Sequence, residues 1–262
     1  MDFIIKLMPL VPFIFILVAL SQLVLGILSK LGKKPKISFF PGGQIEVGFS
    51  IFGPTLTLFG TLRASHADAF VSRIELKLIG PEISSPRIME WRVFKPYTFG
   101  FAPQAAEQQY ELVSAFLLSP LTSFKNSIVF VDDPFIEAHT SKIVSIQSLW
   151  EEFNKEAGNP EAPAVLPKRF DAFYKTPEVQ QVVADLERVT YWKAGEYRLD
   201  MRIHTSNPDK THTFPMTFHL SEENADILDS SLKRVAQLMC GLEVSIRYVY
   251  SKLNTDNKPL GS

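Results

Sequence analysis

The stretch EYRLDMRIHTSNPDKTHTFPMTFHL, residues 196–220, decides the fold class. Tyr197, Leu199, Met201 and Ile203 alternate with Glu196, Arg198, Asp200, Arg202 and His204, so one face is apolar and the other wet. Ser206-Asn207-Pro208-Asp209 supplies a turn, and Phe214, Met216, Phe218 and Leu220 return with polar residues between them. This is the pattern of an antiparallel hairpin with one buried face. Pro215 has no amide hydrogen to give to a ladder, which places its strand at an edge or a bulge.

A hairpin pairing centred on Pro208 sets His204 opposite His212 on the wet face, near Asp200 or Arg202. The expected reading is an exposed polar pair and no metal site; two imidazoles and a carboxylate could also suit Zn²⁺ or Cu²⁺, which makes His204 and His212 the alternative metal candidates. His219 has the wrong parity to join them, and His66 and His139 fall in expected loops.

The same alternation extends upstream. Ile45, Val47, Phe49 and Ile51, then Leu56 and Leu58, then Ile74, Leu76 and Leu78, then Met89, Trp91 and Val93 each read as half-buried strands separated by turns. Asn126 to Val131 reads as a buried strand closed by a turn at Asp132-Asp133-Pro134. Between the strands lies a helical section: 141–157, stopped at Gly158-Asn159-Pro160, and 177–189, with Pro177 in its first turn. Downstream, Ser221 is placed to cap a helix whose Leu228, Leu232, Val235 and Met239 form one face. Leu242, Val244, Ile246, Tyr248 and Tyr250 then alternate as a final strand, with the two tyrosines expected to be buried.

Trp192-Lys193-Ala194-Gly195-Glu196-Tyr197-Arg198-Leu199 has the pattern W-x-x-G-x-Y-x-L. It resembles the segment entering a late strand of bacterial immunoglobulin-like modules, and the chain as a whole resembles bacterial single-pass membrane proteins carrying such a domain. The resemblance implies that Trp192 and Tyr197 pack into the core and that Gly195 permits a tight turn. Pattern and resemblance together lead to a mainly β fold. An N-terminal transmembrane helix would precede an antiparallel Ig-like β-sandwich with a helical insertion and a late amphipathic helix. The expected division is 1–36 as anchor and basic linker, 37–253 as sandwich with the insertion around 141–190, and 254–262 as tail.

The anchor expectation rests on Met8 to Leu28, which carries no charge. At about 1.5 Å per helical residue it can cross a hydrocarbon core of roughly 30 Å. A cleaved signal peptide ending at Ala19-Leu20-Ser21 is the rival. Lys30, Lys33, Lys34 and Lys36 flank the run and place the following domain in the cytoplasm, with a periplasmic or extracellular position as the alternative.

Bulk composition narrows the function classes. In 262 residues, 27 Lys and Arg face 28 Asp and Glu, a net charge of -1, so no global field favours nucleic acid. Cys240 is the single cysteine and excludes an internal disulfide; its apolar context makes it a small buried residue. The chain contains no G-x-S-x-G, H-E-x-x-H, Walker or dinucleotide motif. Asp132-Asp133 and Glu151-Glu152 are explained by a turn and a solvated helix face, and Trp91, Trp150 and Trp192 by packing. The expectation is a non-catalytic, membrane-anchored interaction or scaffold module without cofactor. Its partners would be the lipid bilayer, through residues 8–28, and an unknown protein. The alternatives are a tethered enzyme with a site between insertion and sandwich, and an outward-facing envelope binding protein.

Overall fold

The computed structural model describes residues 20–22, 24, 34–95, 111–157, 165–206 and 208–255. Ten strands form: β1 (Lys36–Ser50), β2 (Gly53–Ser65), β3 (Ala69–Ile79), β4 (Arg87–Lys95), β5 (Glu111–Leu112), β6 (Phe116–Leu118), β7 (Phe124–Val131), β8 (Gly195–Ser206), β9 (Asp209–Leu220) and β10 (Tyr248–Thr255). They make one antiparallel sheet in the order β5-β4-β7-β2-β1-β10-β9-β8-β3-β6. A further pairing, of β3 with β4, closes the sheet into an eight-stranded barrel. At this seam Glu75–Leu78 pair with Arg87–Glu90. Beyond it the two strands part, and β5 and β6 fill the wedge, one against Val93 and Phe94, the other against Ala69–Val71.

The expected Ig-like sandwich is thus corrected to a closed barrel with helices. Alternation says only that each strand has one buried face, a property that sandwiches and barrels share. Bending separates the two. β1 is irregular between Pro41 and Ile45, β3 between Val71 and Arg73, and β4 between Trp91 and Val93. Such bulges increase local twist and curl a sheet toward closure. Gly43, at φ +81°, takes a left-handed conformation in the first of them. Inside the barrel, Ile45, Val47, Leu58, Leu76, Met89, Phe130, Met201 and Phe218 are completely buried.

Among the described residues from 34 onward, five helices occur: α1 (Asp133–Ala157), α2 (Leu166–Tyr174), α3 (Pro177–Glu187), α4 (Glu222–Asp229) and α5 (Ser231–Met239). The first three connect the end of β7 to the start of β8, and the last two connect the end of β9 to the start of β10. Because neighbouring strands are antiparallel, all these strand ends lie at one end of the barrel. The helices therefore stand together over that end. Phe135 of α1 meets Phe49 edge-on at 5.8 Å between ring centroids, and Trp150 meets Phe173 of α2 in the same way at 5.1 Å. Val179, Val183 and Leu186 of α3 are buried in the same core. The insertion is thus a second layer sharing the barrel's core.

Several boundaries differ from the sequence reading. α1 starts eight residues earlier than expected because Asp132 caps it: its Oδ1 accepts a hydrogen bond from Phe135 N at 3.0 Å, and Pro134 sits in the first turn. Ser221 caps α4 as expected, accepting from Asn224 N at 3.2 Å, but the helix breaks at Ser230 into two. The strand assigned to 242–250 begins only at Tyr248 and buries Val249 and Leu253, so both tyrosines point outward. Pro215 lies opposite Asp200 and one residue past the last β10 pairing, Thr255 with Met216.

Among the described residues no helix is long and apolar enough to cross a membrane. The expected spanning segment 8–28 lies outside the described residues except for 20–22 and 24, as do Lys30 and Lys33. Trp192 and Tyr197 are buried, as the W-x-x-G-x-Y-x-L segment implies, and Gly195 has φ +138°. The Trp192 indole donates to Gly48 O at 3.0 Å. The Tyr197 hydroxyl accepts from Lys193 N at 2.7 Å and donates to Tyr191 O at 2.8 Å. The segment's packing is local, and the architecture around it is a barrel.

Candidate functional site

The outer face of the barrel carries a trough of about 1230 Å³. Strand register explains its shape. Cross-strand partners point to the same face, so Tyr250, Glu46, Thr57, Val129 and Val93 form one row across β10, β1, β2, β7 and β4. Tyr248, Gly48, Thr55, Val131, Glu90 and Glu75 form the next, which runs on into β3. The middle strands carry small or short side chains, and larger ones stand at the margins. A Cβ at Gly48 would overlap the Tyr248 ring, so this glycine lets the tyrosine lie across the sheet. Ile51 and Phe52 at the β1–β2 turn, 41% and 58% exposed, line one end. Leu112, 84% exposed, lines the β4 side.

A carboxylate sits in the floor. Glu46 is 3% exposed; its Oε1 accepts from Thr57 Oγ1 and its Oε2 from the Tyr250 hydroxyl, each at 2.8 Å. Burial, then the hydrogen bond to Glu46, pushes the Tyr250 phenol up to about 12, which keeps it a donor. The Tyr250 ring is held by stacking on Phe59, with 6.4 Å between centroids.

The opposite margin is charged and internally paired. Arg73 forms a two-pronged pair with Glu90 and reaches Glu75 at 3.0 Å; Arg202 and His204 approach Glu75 at 3.2 and 3.6 Å. The hydrogen bond to Glu90 raises Arg73 above the ordinary arginine value. Arg92 pairs with Asp133 at the start of α1. The lining thus holds the carboxylates of Glu46, Glu90, Asp133 and Glu137, while both its arginines are engaged by carboxylates. Histidine and cysteine do not occur among the described lining residues. The chemistry on offer is apolar and aromatic contact beside hydrogen-bond acceptors.

The expected histidine pair does not meet. Ser206 pairs with Asp209, one residue away from the expected register, so His204 lies across from Thr211 and His212 from Ile203. Adjacent pairs point to opposite faces, so the two imidazoles diverge. His204 Nδ1 is 3.1 Å from Thr211 Oγ1, while burial, then Lys210, holds His212 below the ordinary histidine value. His219 stands 3.2 Å from Glu196. No group of three or more His, Cys, Asp or Glu able to hold a metal occurs among the described residues. Lys34 and Lys36 are exposed at the entry to β1. Cys240 is buried after α5, and burial pushes its thiol up to about 12.

Where barrel and insertion meet, the structure has a packed polar network. Asp132 is completely buried, accepts from the Tyr191 hydroxyl at 3.0 Å and lies 3.9 Å from Arg87, which stacks over the Tyr191 ring. Burial, then Lys142 and Arg87, holds His139 below its ordinary value. This network ties β7, α1 and the approach to β8 together. Sequence reading missed Asp132, which it took for a turn residue; the [ST/D]-x-x pattern followed by an apolar helix was the available signal.

Comparison with known protein families, curated proteins and solved structures finds no match to this chain.

Proposed function

We propose that the chain is a non-catalytic binding module whose outer trough receives a peptide segment of a partner protein, with residues 8–28 serving as its contact to a lipid bilayer. The observation that carries the reading is the trough itself: small side chains in the central strands, Tyr248 along one wall, and a carboxylate in the floor. Aromatic walls give contact area at low entropic cost, and a row of acceptors selects for donors. The engagement of both arginines shifts the preference toward a segment that is apolar and basic. The cytoplasmic side remains the proposed location, from the lysines after residue 28.

A random-peptide display selection on the full chain tests the reading. The expected binders combine aromatic or aliphatic residues with Lys or Arg. Val129→Trp, which fills the floor, lowers their affinity roughly tenfold or more, and Glu46→Gln lowers it less, by the loss of one charge. Binders that are acidic, or that hold equally well to Val129→Trp, contradict it.

A further inference from the structure

The two ends of the barrel differ. All five helices stand at one end, and the other is free of them among the described residues. The helix-free end holds the entry of β1, the β2–β3, β6–β7 and β8–β9 connections and the exit of β10. Large apolar side chains are exposed there: Phe40 at 56%, Phe70 at 40%, Leu117 at 59% and Leu121 at 94%. Phe70 and Leu117 are direct cross-strand neighbours on the outer face. Leu121 follows Pro120 in a turn closed by the hydrogen bond from Thr122 N to Ser119 O, 3.2 Å. Pro pre-sets this turn, so the leucine is displayed at its tip.

Basic residues share this end. Lys34, Lys36, Arg63, Lys125 and Lys210 are exposed there, against the exposed Asp68 and Asp209. Phe40, Thr61 and Lys125 are cross-strand partners in one row, so an exposed aromatic and a lysine flank a single threonine. The whole chain has a net charge of -1, so this positive end reflects a local distribution. The uncharged run 8–28 leads through Lys30 and Lys33 directly into it. Exposed apolar tips among Lys and Arg are the composition of a surface that enters the headgroup layer of an anionic bilayer.

We propose that the helix-free end of the barrel docks on an anionic bilayer surface, with Leu121, Phe40 and the Phe70–Leu117 pair entering the interface and the surrounding lysines and arginine facing lipid phosphates. It rests on the preceding reading only in taking residues 8–28 as the bilayer contact. Docking turns the helical end away from the membrane and leaves the trough opening sideways.

The test uses the full chain in lipid nanodiscs, in a Cys240→Ser background, with a spin label at Leu121→Cys or, on the helical end, at Val165→Cys. Val165 is 48% exposed, so neither label replaces a core residue. Accessibility to oxygen and to a water-soluble nickel chelate is compared in phosphatidylcholine discs with and without phosphatidylglycerol. The expected result is a label at 121 that gains oxygen access and loses nickel access in the anionic discs, while the label at 165 stays aqueous. Lys125→Glu with Lys210→Glu returns the label at 121 to aqueous values and weakens the docked state roughly tenfold. Four results overturn the proposal: an aqueous label at 121 in anionic discs, lipid contact at 165, equal docking in uncharged discs, or protection at 121 from both agents without lipid, which marks a protein contact. Co-elution of chain and discs with an aqueous 121 label removes the docking and leaves the contact through 8–28 standing; loss of co-elution removes both.

Discussion

Asp132 is the residue on which the junction of barrel and helices depends. It caps α1, accepts from Tyr191 and faces Arg87, with no exposure to solvent. Asp132→Ala leaves the Phe135 amide and the Tyr191 hydroxyl without their acceptor, so the expected loss is about 3 kcal/mol in urea unfolding of the full chain. Tyr191→Phe removes one hydrogen bond and is expected to cost about 1 kcal/mol. The nearby His139 gives the molecule a pH dependence. Its folded value is held below the ordinary 6.5, so the unfolded chain binds the proton first as pH falls. Stability is therefore unaffected at neutral pH and declines from about 6.5 downward until the folded value is reached. His139→Phe is expected to flatten that part of the profile, read as urea midpoints at about pH 7.5 and about pH 5. Only the cap at Asp132 had a signal in the sequence; its burial and its partners had none, because a buried carboxylate and a turn carboxylate before Pro134 look the same without their neighbours.

At the scale of elements, the strands were legible and their neighbours were not. Tyr197, Leu199, Met201 and Ile203 point inward as their alternation indicates, and Trp192 packs beside them. The hairpin failed by one residue of register, which was enough to send His204 and His212 to opposite faces. β10 failed for a different reason. The alternation from Leu242 to Tyr250 runs across a segment that is irregular up to Arg247, and the strand then buries the residues between the tyrosines. Tyr248 lines the trough and Tyr250 bonds the Glu46 in its floor, so this misreading concealed the candidate site. The β1–β2 turn also joins barrel to helix: Gly53 has φ +78°, and a Cβ there would press on the Phe135 ring. Gly53→Ala is expected to cost about 2 kcal/mol, from backbone strain and from displacing Phe135, measured by thermal unfolding.

Across the whole molecule, periodicity reported a β domain with one buried face per strand, and closure depended on bulges at positions that periodicity does not mark. The seam is also a short join, four residue pairs long among the described residues. β3 and β4 pair only over Glu75–Leu78 and Arg87–Glu90, whereas β1 and β2 pair from Lys36 to Ser50. Hydrogen exchange is expected to show seam amides opening at a lower free energy than those of β1 and β2. Uniform protection around the barrel would argue against a weak seam. Closure shapes the proposed binding surface because it curves the sheet while keeping β10, β1, β2, β7 and β4 contiguous, and their outer side chains line the trough.

The central claim, that this trough is the binding surface, is tested most directly by hydrogen exchange of the full chain with and without a selected basic, apolar peptide. Protection is expected within residues 46–57, 129–131 and 248–250, with the outer face of β8 and β9 unchanged. Protection confined to β8 and β9, or to the helices, would contradict the account.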